Sequence, residues 1–176
     1  MTNIRPFFFL LVAMSILGAT ACGANQPVAT PTDIIQVMHA STIMFAGQWG
    51  TEGTGDGEFY APHGVAVAAD GNVYVSDRDN NRIQRFTSDG TFVSEWGTRG
   101  GGDGQFDEPV GIAVAPDGSV YVSDTSNNRI QKFTSDGTFV SEWGTWGMGD
   151  GEFSGPRGLA VASDGSVYVV DSGNAR

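Results

Sequence analysis

The stretch FTSDGTFVSEWGT occupies residues 86–98 and recurs unchanged at residues 133–145. A segment repeated at a fixed spacing is typical of a repeated structural unit, whereas the residues of an active site are usually drawn from different parts of a chain. The same spacing of 47 residues links identical residues elsewhere in the sequence, namely Trp49, Trp96 and Trp143; Phe59, Phe106 and Phe153; Pro62, Pro109 and Pro156. The chain is therefore built largely from copies of one unit.

Each unit contains four short strand-like runs separated by turn residues. In the second unit they are VGIAVAP, SVYVSD, RIQKFTS and TFVSEWG, and β-branched and aromatic residues dominate the first two. Asp117-Gly118 and Asp136-Gly137 lie between runs and favour tight hairpin turns. Four antiparallel strands in a repeat of roughly 40–50 residues are typical of a β-propeller blade. The predicted fold class is all-β, and the repeated stretch is predicted to be the hairpin of the third and fourth strands.

Residues 59–106 also carry a recognisable set of motifs. These are a Pro-x-Gly before the first strand, the run Asp-Gly-x-Val-Tyr-Val-x-Asp, then Asn-x-Arg-Ile-Gln and a Phe-x-x-x-Gly turn, and the set repeats from Phe106. The sequence in this respect resembles the NHL-repeat family of six-bladed β-propellers. The resemblance extends to Arg176 and implies a ring of four-stranded blades.

The units divide the chain into repeats at residues 59–105, 106–152 and a shortened 153–176, within a propeller region of residues 41–176. Residues 43–50 align with a fourth strand and have no strands of their own before them. About 2.5 blades of a presumed six are therefore predicted. An open fan of blades leaves strand edges unpaired. The sequence is accordingly interpreted as the N-terminal portion of a longer protein, and self-assembly of partial rings is the alternative.

The first forty residues differ from the repeats. Arg5 is the only charged residue of residues 1–21, and the apolar run 7–17 suits a secretory signal-peptide helix. The single cysteine, Cys22, follows at once, and GATAC resembles a bacterial lipobox, with ordinary cleavage after Ala21 as the alternative. Residues 22–40 are then a lipidated cysteine and a flexible tether. This predicts an exported protein, anchored at the periplasmic or extracellular face of the bacterial cell envelope.

The charge of the chain limits the partners that it can bind. The formal net charge is −11, and such an acidic protein repels phosphate backbones, so no nucleic-acid partner is predicted. The lone cysteine excludes a disulfide within the exported domain. The expected partners are a membrane, through the lipid anchor, and an unknown protein, peptide or glycan.

Several polar residues recur with the repeat and are predicted to be structural. The aspartates are expected to accept hydrogen bonds from loop N–H groups and to pair with the arginines that follow them. The set comprises Asp77, Asn81, Arg82, Asp124, Asn128, Arg129 and Asp171. The run from Asp77 to Asn81 also resembles the opening of a calcium loop, but the turn glycine of such a loop is absent. No cofactor is predicted, and calcium or zinc is the alternative.

Positions that differ between units are candidates for binding. They cluster in the loops between blades and between the second and third strands, which emerge on one face where propellers bind their ligands. The candidate rim and channel residues are His63, Arg78, Arg99, Trp146 and Arg157. Drift of unconstrained loops is the alternative explanation of the same variation.

Catalytic residues are not predicted. Enzymes on similar propellers need several histidines or acids with a metal around the channel, whereas the positions equivalent to His63 are Val110 and Arg157. The predicted function is a cell-envelope lipoprotein whose propeller is a binding or scaffold module. The alternative is an extracytoplasmic lyase or lactonase-like hydrolase with most of its metal ligands outside this sequence.

Overall fold

A computed structural model describes residues 35–38 and 45–176, which form short β-strands and one 3-10 helix. The strands are β1 (Ile35–Met38), β2 (Phe45–Trp49), β3 (Thr51–Glu52), β4 (Glu58–Phe59), β5 (Pro62–Val67), β6 (Val73–Asp77), β7 (Arg82–Phe86), β8 (Phe92–Trp96), β9 (Pro109–Val114), β10 (Val120–Asp124), β11 (Arg129–Phe133), β12 (Phe139–Trp143), β13 (Pro156–Val161) and β14 (Val167–Asp171). The 3-10 helix is Ser172–Asn174. The predicted signal-peptide helix lies outside the described residues.

Two four-stranded antiparallel sheets form the centre of the structure. The first blade has the order β5-β6-β7-β8 and the second has the order β9-β10-β11-β12. The repeated stretch contributes the β7–β8 hairpin and the β11–β12 hairpin, in which Gln84 lies opposite Glu95 and Gln131 opposite Glu142. The all-β prediction and the position of the repeated hairpin are both confirmed.

The burial of each strand follows its place in the blade. The second strands, β6 and β10, are buried along their whole length because a neighbouring blade or hairpin covers each face. Their sequence VYVSD is accordingly apolar on both faces, apart from a serine and an aspartate that are hydrogen-bonded. The fourth strand β8 alternates between half-buried and exposed residues.

The first strands lie side by side along the inner edge of the fan. The hydroxyl of Ser76 donates to the carbonyl of Val110 in the next blade at 2.7 Å, and that of Ser123 donates to Arg157 at 2.7 Å. This approach leaves no room for a side chain on Gly64 of β5 or Gly111 of β9. A Cβ on Gly111 would lie 1.9 Å from the carbonyl oxygen of Arg157. The Pro-x-Gly motif therefore requires glycine for close packing between blades.

Apolar side chains fill the spaces between successive sheets. The cluster between the two blades includes Tyr74, Ile112 and Phe133, all buried. The ring of Trp96 lies 6.1 Å from that of Tyr74 and 5.7 Å from that of Phe133. Trp49 and Trp143 pack in the same way against the clusters on either side. The three repeated tryptophans thus pack between successive sheets, and each large side chain buried there contributes about 1.5–3 kcal/mol.

The two ends of the described region differ from the blades. The strand β2 has a partner of its own, since β1 pairs with it antiparallel. The expectation that residues 43–50 stand without a preceding strand is therefore wrong. β1 falls inside residues 22–40, where Pro- and Thr-rich composition predicts a tether, because the run IQVM is too short to be recognised before its partner is known. At the other end, β13 and β14 form a two-stranded hairpin.

Candidate functional site

The loops at one end of each blade are fastened by a buried carboxylate. Asp77 accepts the backbone N–H of Tyr60 at 2.8 Å, and its other oxygen accepts Nε of Arg82 at 2.8 Å. Asp124 repeats this arrangement with Asp107 and Arg129, at 2.7 Å in both bonds. Each aspartate thus joins the loop that enters its blade to the third strand of the same blade.

The arginine continues the network into the loop between blades. Arg82 donates to the carbonyl oxygens of Thr54, Gly55 and Glu58, at 2.8–2.9 Å. Gln84 adds a bond from the N–H of Gly57 to its side-chain oxygen at 2.8 Å. Because these partners are backbone groups, the network fixes the loop conformation independently of the exposed side chains that the loop carries.

The third blade repeats the carboxylate in a more open setting. Asp171 is buried, whereas Arg176 is 44% exposed at the side chain and lies 3.1 Å away. Burial raises the pKa of Asp171, but hydrogen bonds from the Ser154 N–H, Asn174 and Arg176 together hold the pKa below its usual value. The carboxylate is therefore ionised and anchors this loop too.

Two asparagines link one blade to the next. Asn81 and Asn128 adopt left-handed backbone conformations, with φ of 55° and 56°, which asparagine tolerates well. Their side-chain oxygens accept the N–H of Glu108 at 3.0 Å and of Gly155 at 2.9 Å, one blade further on. The asparagines therefore hold the residue just before each first strand.

Three of the predicted binding residues, His63, Arg78 and Arg157, are called the channel mouth below. His63 and Arg157 are exposed near the start of β5 and β13, whereas the equivalent Val110 of β9 is buried. The pKa of His63 is lowered from 6.5, first by partial desolvation and then by the positive charges of Arg78 and Arg157. The positive charges of both arginines therefore disfavour protonation of His63 in an otherwise acidic protein.

Acidic neighbours partly neutralise the positive charge of the channel mouth. Nε of Arg78 lies 3.1 Å from Asp79, and its Nη2 lies 3.6 Å from Glu108. Both pairs are about half exposed, so each ion pair contributes roughly 0–1 kcal/mol. The side chain of Arg157 is exposed and forms no salt bridge within residues 45–176. The channel mouth can therefore donate hydrogen bonds to a carboxylate or another anionic group.

The other two predicted residues lie on successive loops between blades. Trp146 is 76% exposed and Met148, close to it on the same loop, is 79% exposed. Arg99 occupies the position of Trp146 one blade earlier, and its Nε lies 3.6 Å from Asp107. Exposed tryptophan, methionine and arginine are enriched at protein interfaces. Arg99, Trp146 and Met148 are called the loop patch below.

The repeat family follows from these observations. Residues 59–86, 106–133 and 153–176 match the family described as NHL repeat. Each match begins at the phenylalanine that packs between sheets and includes the aspartate anchor. The resemblance inferred from the motifs is thereby confirmed at the level of the repeat and its propeller blades.

Among curated proteins, the NHL repeats are similar to short parts of animal proteins. Protein lin-41 of Caenorhabditis elegans is 52% identical over 44 residues, covering 25% of this chain and 4% of that protein. Protein wech of Drosophila melanogaster is 39% identical over 67 residues, covering 38% of this chain and 8% of that protein. The chain therefore spans less than a tenth of these relatives.

Solved structures show the same fold. A streptogramin B lyase structure is matched with a TM-score of 0.59 and 19% identity, covering 80% of this chain and 42% of that one. The hydrazine synthase of Kuenenia stuttgartiensis is matched with a TM-score of 0.56 and 19% identity, covering 81% of this chain and 41% of that one. The chain spans less than half of either structure, and at this identity the likeness shows the fold alone.

Neither a cluster of metal ligands nor a membrane-spanning helix occurs in the described part of this chain. Within residues 35–38 and 45–176, no three His, Cys, Asp or Glu side chains come together as a metal site would require. No helix of the same part is long and apolar enough to cross a membrane. The carboxylate of Asp77, considered above for calcium, is instead engaged by Arg82 and Asn80.

Two kinds of residue in the NHL repeats were missed by sequence reasoning. Gln84 and Gln131 are fully buried and hold the loops between blades. The sequence feature that could have revealed these glutamines is the Ile-Gln pair, which is identical in both complete units. Glu108, which faces Arg78, differs between units and so resembled an unconstrained surface residue.

Proposed function

We propose that this chain is an NHL-repeat binding module that recognises a protein or peptide through its channel mouth and loop patch. The supporting observation is a division within the repeats. The buried anchors are the same in each unit, whereas the exposed residues carried by the anchored loops differ. A rigid frame with variable exposed groups is the arrangement of a recognition surface.

The charges and apolar groups indicate the chemistry of the ligand. Arg78 and Arg157 suit a carboxylate, and the acidic remainder of the chain disfavours nucleic acid. Trp146 and Met148 offer exposed apolar area that a large apolar side chain of a peptide can cover. An acidic peptide segment with at least one large apolar side chain satisfies both groups.

Panning a displayed random-peptide library against the full chain tests the proposal. The enriched peptides are expected to carry Asp or Glu beside an apolar residue, and calorimetry should show at least tenfold weaker binding after Arg157→Ala or Trp146→Ala. Asp136→Asn, in a hairpin turn outside the site, is the matched control and should leave the affinity unchanged. Absence of enrichment, or binding that ignores both substitutions, contradicts the proposal. Trp146-dependent binding on an oligosaccharide array instead indicates a glycan ligand.

The location of the module is part of the proposal. Cys22, which lies outside the described residues, would carry the lipid that holds the module at the bacterial cell envelope. In a bacterial host, the wild-type chain should incorporate labelled fatty acid and sediment with membranes. Cys22→Ser should abolish the label. Label-free wild-type protein, or a variant with unchanged membrane association, refutes the lipid anchor without bearing on ligand recognition.

A further inference from the structure

An ion pair crosses the boundary between the first and the second blade at the channel mouth. Nη2 of Arg78, in the loop between β6 and β7, lies 3.6 Å from Oε1 of Glu108, which directly precedes β9. Both blades are complete four-stranded sheets, so the surroundings of this pair do not depend on the ends of the described region.

The backbone of Glu108 has a conformation that glutamate does not favour. Its φ is 55°, in the left-handed region that residues with a side chain adopt rarely. The equivalent residues are Ala61, with φ of 50°, and Gly155, with φ of 59°. Glycine adopts this conformation without steric cost. The backbone therefore gives no reason for a carboxylate at this position.

Hydrogen bonds from both blades hold Glu108 beside Arg78. The N–H of Glu108 donates to Oδ1 of Asn81 at 3.0 Å, and the hydroxyl of Ser126 donates to Oε2 of Glu108 at 3.3 Å. Asn81 belongs to the same loop as Arg78, whereas Ser126 lies in the equivalent loop of the second blade. The carboxylate is thus positioned from two sides, although the side chain is 48% exposed.

The packing of the blades does not require this ion pair. The positions equivalent to Arg78 and Glu108 one unit later are Thr125 and Gly155, and neither carries a charge. At that boundary the hydroxyl of Thr125 donates to the carbonyl of Pro156 at 2.8 Å. The two charges are therefore present together at one boundary and replaced together at the next, while the repeated anchors of the scaffold stay the same.

The geometry of the pair leaves Arg78 able to accept a closer partner. A separation of 3.6 Å exceeds the roughly 2.7–3.2 Å of a hydrogen bond, so Glu108 attracts the guanidinium by its charge without bonding it closely. Nε of Arg78 is engaged separately by Asp79 at 3.1 Å, and the side chain of Arg78 is 37% exposed. A ligand carboxylate that reaches Nη2 at hydrogen-bond distance therefore forms the stronger contact and displaces Glu108.

The charge balance gives this competition its effect. Arg78 and Arg157 carry two positive charges, and Asp79 and Glu108 carry two negative charges near Arg78. The lowered pKa of His63 keeps that side chain neutral at neutral pH. The site therefore has no excess of positive charge while Glu108 is in place, and loss of the Glu108 charge should make carboxylates bind more tightly.

We propose that Glu108 is a specificity-determining residue of the channel mouth, because its carboxylate occupies the place beside Arg78 that a ligand carboxylate would take. Arg157 then receives the first carboxylate of a peptide, and Glu108 repels a second. The preferred ligand is a peptide with one acidic residue beside an apolar residue, not a run of acidic residues. This statement about peptides rests on the proposed function, whereas the competition at Arg78 does not.

Titration of the full chain with acetate tests the competition without a peptide, in an uncharged detergent that keeps the apolar N-terminal run dispersed. NMR follows the side-chain Nε–H resonance of Arg78, which is assigned by its loss in Arg78→Lys. In Glu108→Gln this resonance should respond at about two- to fivefold lower acetate concentration than in the wild type. That factor corresponds to the modest free energy of a half-exposed ion pair.

Two further variants control for charge and folding. Asp103→Asn removes the same charge from an exposed turn of the same loop, and should leave the acetate response of Arg78 unchanged. Glu108→Gly should respond to acetate as Glu108→Gln does and should not lower the thermal midpoint, since glycine suits the left-handed backbone. Equal acetate responses of the wild type and both Glu108 variants, or an equally strong gain in Asp103→Asn, would overturn the proposal.

Peptide panning separates the role of Glu108 from the proposed function. Peptides enriched by the wild type should carry single acidic residues, whereas those enriched by Glu108→Gln should include neighbouring acidic residues. If both proteins enrich the same peptides, Glu108 does not determine specificity. If neither protein enriches any peptide, the proposed function fails, and the acetate titration still decides whether Glu108 competes at Arg78.

Discussion

Replacing Asp124 with alanine should strongly destabilise the second blade. The carboxylate is fully buried, accepts the N–H of Asp107 at 2.7 Å and Nε of Arg129 at 2.7 Å, and also accepts the side-chain amide of Gln131 at 3.1 Å. Alanine removes these acceptors and leaves the guanidinium of Arg129 without its fully buried counter-charge. Breaking a buried ion pair in this way costs about 3–5 kcal/mol.

Arg129 keeps other partners in the Asp124→Ala variant, so the loss of stability should lie near the lower end of that range. Its side chain still donates to the carbonyl of Gly101 at 3.0 Å and contacts the carboxylate of Glu142, which is 40% exposed. Asp124→Asn keeps one acceptor oxygen but places a neutral amide against the guanidinium of Arg129. The free energy of unfolding should therefore fall by about 1.5–3 kcal/mol. Asp103→Ala, an exposed turn aspartate, should change the free energy of unfolding by less than about 0.5 kcal/mol.

Urea and thermal unfolding followed by tryptophan fluorescence measure these differences. Asp124→Ala should lower the thermal midpoint by roughly 10–20 °C. Asp171→Ala should have a smaller effect than Asp124→Ala, because Arg176 is half exposed and regains water as a partner. Equal losses for Asp124→Ala and Asp103→Ala would refute the reasoning, since the buried carboxylate would then contribute no more than an exposed one.

Three further outcomes are expected. Gly111→Ala should lower the free energy of unfolding in urea by at least about 1–3 kcal/mol, because its Cβ overlaps a backbone carbonyl of β13. The control Gly47→Ala should leave that free energy unchanged. Equal stabilities of the two variants would contradict the close approach of the second blade and β13. Arg157→Gln should raise the pKa of His63 in an NMR titration by removing a nearby positive charge, and an unchanged value would place the two groups apart. Backbone N–H donors lower the pKa of exposed turn aspartates such as Asp117. The stability that these aspartates contribute is therefore present above about pH 4 and is lost as the pH falls through the lowered pKa. Melting temperatures that stay constant down to pH 2 would contradict this expectation.

The repeat made most of the fold predictable. Identical residues 47 positions apart must occupy equivalent places in equivalent units, so the hairpins and the tryptophans between blades could be located from the sequence alone. The Asp-Gly turns were equally readable, because Gly118 and Gly137 adopt the positive φ, 85° and 91°, that such turns need. These features depend on local geometry and on a pattern that is repeated several times.

The partner of β2 and the grouping at the channel mouth were decided only by the tertiary structure. The run from Ile35 to Met38 is a strand because an unpaired edge offers it hydrogen bonds, and no local signal encodes that pairing. His63 and Arg157 are 94 residues apart and were selected from the sequence because their positions vary. The positive charge of Arg157 lowers the pKa of His63, and its distance from His63 is set by the close packing of the first strands β5, β9 and β13. Sequence identity reveals which residues the scaffold repeats, whereas packing between blades determines which variable residues meet.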